Sequence, residues 1–195
     1  MLRTTMTARK LIILTLQNVR LLAFVILTAV TLVACGSSEG DAPLERVIDD
    51  ERVFSVDDLR AAGMKASKQY DVSDLPGGVD AWYGFVGSAS GPKDVEVRFY
   101  ASHADAVALG TELADEASGD DALVDEETAT WVVGVKDRIR LSSGGTADLA
   151  AWSGQRVPNY ADFVIFANMI LLCQGDEPQQ SLDLCHELIA ALNAP

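Results

Sequence analysis

The chain has 195 residues, with 15 basic and 29 acidic side chains and a formal net charge of −14 at pH 7. A surface this acidic repels phosphate groups, which excludes nucleic acid and anionic lipid headgroups as preferred partners. The length is sufficient for one domain with a sizeable core, and the charge alone favours solubility in a salty medium.

The N-terminal 34 residues have the composition of an export signal. They contain four basic residues and no acidic one, and they end in an uncharged run at residues 21–34. A positive start, a short apolar segment and small residues before a cut are typical of a secretory signal peptide. Fourteen residues make about 21 Å of helix, less than the roughly 30 Å hydrocarbon core of a bilayer. The alternatives are ordinary cleavage, or an uncleaved anchor that would bury Arg20 at a high cost.

The segment Leu32-Val33-Ala34-Cys35 resembles a bacterial lipobox. The resemblance implies that Cys35 becomes the first residue of the mature protein and carries a thioether-linked diacylglycerol, often with a further amide-linked fatty acid such as palmitate. Two or more acyl chains hold a protein stably on a membrane. We therefore expect an extracytoplasmic protein anchored to a bacterial cell membrane by its lipid, in a leaflet that the sequence leaves open.

Cleavage at this site and acylation of Cys35 would also leave an even number of cysteines to pair. The exported residues 35–195 contain 11 basic and 29 acidic side chains, a net charge of −18. With Cys35 acylated, Cys173 and Cys185 remain as a pair in an oxidising compartment, where a disulfide persists. Closing a loop of that size stabilises the fold by roughly 3 kcal/mol. Two reduced, buried cysteines are the alternative.

The segment after the lipobox predicts a tether followed by a single domain. Residues 35–52 are small, polar and acidic, a composition that cannot bury a core and indicates a flexible spacer behind the lipidated cysteine. The globular α+β domain then covers residues 53–195. Ser55 is a plausible N-cap for a short helix over residues 56–62, and Gly63 is a plausible stop.

Two strands come next. Residues 81–87 and 95–100, separated by a turn-rich loop at 88–94, predict an antiparallel hairpin. In the second segment apolar residues at odd positions alternate with charged residues and a tyrosine at even positions. This alternation indicates a strand with one side facing solvent.

A helix and a long unassigned segment follow. Ser102 and Asp105 have capping-box spacing, and apolar residues recur at helical spacing to about residue 117. Residues 118–160 show no clear pattern; a loop of this length is either functional or a sign of a missed element. Its acidic cluster at 120–127 is the one calcium candidate, but it lacks the order of an EF-hand loop, so a solvated loop is favoured.

The C-terminal part holds the most apolar stretch, residues 163–173. Asn168 tolerates left-handed backbone angles, which favours a tight hairpin around Ala167-Asn168 over one continuous strand. A final helix opens near Pro178 and places Cys185 on its apolar face.

Together these elements predict an α+β two-layer sandwich: an antiparallel sheet of about four strands, made of two hairpins, with amphipathic helices on one face. The runs EVRFYASHADAVALG, FVIFANMILLCQG and SLDLCHELIAAL are similar to segments of small, uncharacterised exported bacterial lipoproteins. The resemblance covers roughly residues 57–192. Because its motifs are strand and helix cores, it implies a fold and no activity.

No segment after Cys35 specifies a reaction. His103 and His186 lack a metal-ligand spacing, and the chain has neither a G-x-S-x-G elbow nor a phosphate-binding loop. The aromatic residues Trp82, Tyr83 and Phe85 favour packing in or on a sheet over lining a ligand pocket. We therefore predict no catalytic residues, no metal and no cofactor.

Two functions from different classes follow. The first is a lipid-anchored, non-enzymatic domain of the cell envelope that binds an unknown protein or small molecule; its membrane contact is the lipid on Cys35, and nucleic acid is no partner. The second is an envelope enzyme, of hydrolase type, with a site built from the 118–160 loop. That alternative requires His103 or His186 to meet a carboxylate or serine within hydrogen-bond reach in a concave site.

Overall fold

The computed structural model describes residues 44–141 and 156–194. The strands are β1 (Val47–Ile48), β2 (Lys65–Gln69), β3 (Gly78–Ser88), β4 (Gly91–Tyr100), β5 (Ile139–Leu141), β6 (Arg156–Pro158), β7 (Tyr160–Phe166) and β8 (Met169–Gln174). The helices are α1 (Val56–Ala61), α2 (residues 103–116) and α3 (Pro178–Leu192), and a 3-10 turn covers Val135–Arg138.

The described residues fold mostly as sheet. Six strands form one sheet in the order β1-β7-β8-β4-β3-β2, and β5 pairs with β6 in a separate two-stranded sheet. The large sheet is mixed, because β1 runs parallel to β7 whereas every other pair of neighbouring strands in this sheet is antiparallel. The prediction of a four-stranded antiparallel sheet was therefore wrong. It missed β1, β2, β5 and β6, which are short or polar and carry little apolar alternation.

The predicted two-layer arrangement, with helices on one face only, was also wrong. Val97 of β4 packs in one cluster with Leu59 of α1 and Leu188 of α3. Tyr100 of the same strand packs in a second cluster with Ala106 of α2. Because side chains of opposite parity point to opposite sides of a strand, the helices cover both faces of the sheet.

Helix α1 begins and ends at the predicted signals. The side chain of Ser55 and the carboxylate of Asp58 form a capping box, in which Ser55 N donates to Asp58 Oδ2 at 2.8 Å. Gly63 follows the helix with φ +101°, a conformation that side-chain-bearing residues rarely adopt. These local signals determine a short element whose one buried residue is Leu59.

Helix α2 is capped as its sequence predicts. Asp105 N donates to Ser102 Oγ at 3.1 Å, and Ser102 Oγ donates to the Asp105 carboxylate at 2.7 Å. The helix contains a π-helical turn at Ala106–Gly110. A side chain on Gly110 would collide with Ile170 and Tyr100, so the absence of a Cβ lets this turn approach the sheet closely.

The β3–β4 hairpin has a shorter connection than predicted. The two strands join through a two-residue turn at Ala89 and Ser90, with Ser88 paired to Gly91. Ser88 Oγ donates to Gly91 O at 2.7 Å, and Gly91 has φ +109°. The predicted loop at 88–94 was wrong, because only residues 89 and 90 form the turn and the other residues of that range are paired in β3 and β4.

The β7–β8 hairpin turns at Ala167-Asn168, with Phe166 paired to Met169. The left-handed residue is Ala167, with φ +50°, and not Asn168. Asn168 instead buries its amide: Oδ1 accepts from Phe54 N at 2.7 Å, and Nδ2 donates to Phe54 O and Tyr100 O. The turn is therefore stabilised by a side chain that joins it to the segment before α1.

Cys173 on β8 and Cys185 on α3 form a disulfide, with an S–S distance of 2.04 Å and both residues fully buried. Helix α3 carries proline in its first turn and buries one apolar stripe that includes Cys185 and Leu188. The bridge therefore joins the last helix to a central strand of the sheet.

The segment before α1 contacts the domain. Ile165 N and Ala167 N donate to Arg46 O and Ile48 O at 2.7 and 3.1 Å. The Arg46 guanidinium lies 4.4 Å from the centre of the Phe163 ring. Thus residues 44–48, within the segment predicted to be a tether, cover part of the β7 edge of the sheet.

Candidate functional site

A buried ionic cluster lies on the α2 face of the sheet. Glu96 and Arg98, both on β4, are 0% exposed, and Arg138 from the 3-10 turn is 2% exposed. Arg98 Nε donates to Glu96 Oε1 at 2.7 Å, and Arg138 donates to both carboxylate oxygens at 2.9 and 3.1 Å. The even positions of the predicted strand at residues 95–100, which were expected to face solvent, are thus fully enclosed.

The two guanidinium groups also fix the segment that follows α2. Arg98 and Arg138 each lie 4.9 Å from the ring centre of the buried Trp131. Arg138 donates to Trp131 O and Val133 O at 3.0 and 2.8 Å, and Arg98 donates to Leu113 O at 2.9 Å. The segment at residues 131–138 is therefore held on the sheet by these charged side chains together with the packing of Trp131 against the apolar cluster of Tyr70, Leu75, Ala81 and Leu113.

The electrostatics of the cluster favour the charged carboxylate. Burial opposes ionisation of Glu96, but Arg138 and Arg98 outweigh it and hold the pKa of Glu96 below its ordinary value. Burial, together with the nearby Glu96 charge, raises the pKa of the Tyr70 hydroxyl. Tyr70 accordingly remains a donor and bonds Asp137 Oδ2 at 2.7 Å. Since Glu96 and Arg98 are sealed from solvent, the cluster is structural and offers no access to a ligand.

An open concavity lies on the other face, beside α3. One cleft of about 490 Å³ is lined by the β3–β4 turn, the end of β8 and α3, and a second of about 330 Å³ adjoins it at Leu184 and Glu187. We call the two clefts together the α3 trough. It exists because α3 lies over β7 and β8 and α1 is only six residues long, which leaves the turn end of β3 and β4 uncovered.

The α3 trough has an apolar floor and an acidic rim. Its floor includes Val86, Leu184 and Leu188, which are 4–8% exposed. Asp183 and Glu187 of α3 are exposed on the rim, and Lys93 is the basic residue that lines the trough. The arrangement can bind a ligand by apolar contact and charge, but it brings no histidine or free thiol to the ligand.

The two histidines bond to backbone carbonyls. His103 Nδ1 lies 2.8 Å from Ala167 O, and His186 Nε2 lies 2.9 Å from Glu45 O. Because a carbonyl only accepts, His103 must donate from Nδ1. His103 borders a cleft of about 400 Å³, and its Nε2 atom lies 4.0 Å from Asp49 Oδ1, beyond hydrogen-bond reach.

The acidic cluster at 120–127 has the features of a solvated loop. Its five carboxylates are exposed, Glu126 pairs with Lys136 at 2.9 Å, and Asp125 Oδ1 accepts from Glu127 N. Within residues 44–141 and 156–194, no group of three or more His, Cys, Asp or Glu side chains is arranged to hold a metal ion.

The three aromatic residues of β3 do not form one pocket. Tyr83 and Phe85 stack edge to face, with ring centres 5.1 Å apart. Trp82, of opposite parity, packs against the cluster on the α3 face and donates to Asp80 Oδ2 at 2.8 Å. The Arg60 guanidinium lies 4.8 Å from the Trp82 ring centre. These contacts are those of packed sheet residues.

The lipid-anchor prediction concerns Cys35 and the signal segment, which lie outside the described residues. In the part of the chain that is described, no helix is both long and apolar enough to cross a membrane.

A comparison with protein families identifies one family that matches the chain. Residues 55–194 match DUF6810, a family of unknown function, and the chain belongs to that family. Neither the curated proteins nor the solved structures include a significant match. The match to residues 55–194 assigns no activity.

Sequence reasoning missed the ionic cluster and the α3 trough. Glu96 and Arg98 were visible as an i, i+2 pair of opposite charge in a strand, which was a usable signal for a buried pair. Arg138 is 42 positions from Glu96, and no local pattern joins them. The trough depends on where α3 crosses the sheet, which periodicity does not specify.

Proposed function

We propose that this protein is a lipid-anchored, extracytoplasmic binding domain that holds a protein or small molecule in the α3 trough without converting it. The observation that carries the proposal is the pairing of two of the three cysteines. Cys173 and Cys185 are joined in a buried disulfide, the form expected in an oxidising compartment, which leaves Cys35 for acylation.

The shape and chemistry of the trough support binding over catalysis. Its floor is apolar, its rim is charged, and the two histidines lie elsewhere, bonded to backbone carbonyls. Concave sites with an apolar floor and a few polar groups are the usual form of a ligand site. A binding domain held at a membrane by lipid concentrates its partner there without needing a reaction of its own.

Replacing Cys35 tests the anchor. The variant Cys35→Ala should move from the membrane fraction to the soluble fraction or accumulate as the unprocessed precursor, because the acceptor of the diacylglycerol is gone. Fractionation with metabolic labelling by an alkyne fatty acid measures both effects. The control is Ser37→Ala, which should stay in the membrane fraction and keep its label. Unchanged membrane association and labelling of Cys35→Ala would refute the anchor.

A further inference from the structure

We infer that the partner of the α3 trough is a basic, extended peptide segment in which cationic and aliphatic side chains alternate. The inference rests on the proposed binding function and adds the chemistry of its partner. Asp183 and Glu187 are four residues apart on α3 and point to the same side of the helix.

These two carboxylates have no cationic partner within the described part of the chain. Asp183 accepts a hydrogen bond from Gln179 at 2.9 Å, and neither carboxylate is within 4.0 Å of a basic group among residues 44–141 and 156–194. Like charges at this spacing destabilise a helix. The third acidic residue of the lining, Asp176, is already paired with Arg140. The repulsion at the rim would be relieved by a cation supplied from outside.

The floor of the trough adds the second requirement. Val86 of β3 and Leu184 and Leu188 of α3 form an apolar surface between the helix and the hairpin. A polyamine or a metal ion would satisfy the rim but would leave this floor in contact with water. An extended peptide places successive side chains on opposite sides, so one set can reach the rim while the other covers the floor.

The chain's own acidic spacer is a poor occupant. Residues 36–43 carry Glu39 and Asp41 and no basic residue, so the rim repels them. Charge complementarity therefore favours a partner from outside this chain.

The direct test is binding of a labelled octapeptide of alternating lysine and valine to the full-length protein in detergent micelles, measured by fluorescence anisotropy. Saturable binding is expected, weakening as NaCl rises from 50 to 500 mM because the rim is screened. An octapeptide of alternating glutamate and valine should not bind. No saturable binding of the lysine–valine peptide would overturn the inference.

Charge removal at the rim gives the first matched pair of variants. Asp183→Asn with Glu187→Gln should weaken binding by roughly five- to twentyfold, as expected for losing two exposed ion pairs. Glu112→Gln with Asp121→Asn removes two exposed carboxylates from residues that do not line the trough and should change affinity by less than about twofold. Equal effects of the two double variants would overturn the assignment of the rim.

Obstruction of the trough gives the second pair. Ala191 lines the trough and Ala190 does not, although both are exposed on α3. Ala191→Leu should weaken lysine–valine binding at least fivefold, whereas Ala190→Leu should leave it unchanged. If spermine or a lysine–serine octapeptide binds as tightly as the lysine–valine peptide, the apolar requirement is refuted.

The failures of the two proposals are distinguishable. If the glutamate–valine peptide binds and Ala191→Leu blocks it, the trough is a binding site but the basic partner is wrong. If Cys35→Ala keeps both its membrane association and its fatty-acid label, the anchor is wrong whatever the peptide does.

Discussion

Glu96 is the residue on which the packing of the α2 face most depends. Its carboxylate is fully buried between Arg98 and Arg138, which in turn bond to the backbone of Leu113, Trp131 and Val133. A buried charge loses its hydration, and the loss is offset here by two guanidinium groups in direct contact. Removing one member leaves the others buried and uncompensated, so the cost exceeds that of an exposed ion pair.

We expect Glu96→Gln to lower the free energy of unfolding by about 3–5 kcal/mol, because it leaves two buried guanidinium groups without a counter-charge. Urea denaturation followed by the fluorescence of the tryptophans measures the loss. Glu112→Gln, which removes an exposed carboxylate, should stay within about 0.5 kcal/mol of the wild type. Similar losses in the two variants would contradict a structural role for the cluster.

The cluster also predicts a pH dependence. The pKa of Glu96 is lower in the folded state than its ordinary value of 4.5, so its contribution is complete above that value and is lost as the pH falls through the folded pKa. Glu96→Gln should therefore lose less stability than the wild type on acidification from pH 5. Parallel stability–pH curves for the two proteins would exclude this contribution.

At the scale of elements, the sheet protects both of its edges. The β2 edge carries Lys65 and Lys68, and lysine on an edge strand opposes pairing with another chain. On the β7 edge, Phe163 N and Ala161 N donate to the side chains of Asp162 and Ser181, beyond the short pairing with β1. The sheet is therefore a poor template for strand addition, which agrees with a partner site on its face.

The disulfide acts at the same scale, since it joins β8 to α3. Replacing Cys173 and Cys185 by alanine should lower the free energy of unfolding by about 2–4 kcal/mol, because the unfolded chain regains the freedom of a closed loop. Urea denaturation of the purified protein in detergent measures the change. Cys35→Ala, which also removes a cysteine, should leave stability unchanged. A double variant as stable as the wild type would show that the bridge is dispensable.

For the whole molecule, the dominant feature is the excess of acidic residues. The chain has a formal net charge of −14, and among the described residues the ion pairs with both partners buried are the two that Glu96 makes with Arg98 and Arg138. Net self-repulsion destabilises a compact state, and salt screens it. The acidity also agrees with the proposal of a basic partner, because it attracts one over longer distances at low ionic strength.

Raising NaCl from about 10 to 150 mM shortens the Debye length from roughly 30 to 8 Å and should therefore raise the urea midpoint of unfolding. Glu96→Gln should show the same salt response, since its charge is buried and little screened. A midpoint that falls with salt would mean that favourable surface ion pairs outweigh the repulsion.

The sequence alone determined the features that depend on residues close together in the chain. The caps at Ser55 and Ser102, the turn at Ala167-Asn168 and the apolar face of α3 all involve partners within a few positions. The pairing of Cys173 with Cys185 followed from counting thiols once Cys35 was set aside, and the lipid on Cys35 stays a prediction.

Only the tertiary structure decided which faces are buried. Glu96 and Arg98 on β4 are charged, yet they are enclosed because Arg138, 42 residues away, supplies the second counter-charge to Glu96. Contacts between residues far apart in the sequence also determine three other features. These are the helices on both faces of the sheet, the edge strands β1 and β2, and the α3 trough. Periodicity reports the polarity of a side chain and not its eventual neighbour, which is why these features could not be predicted.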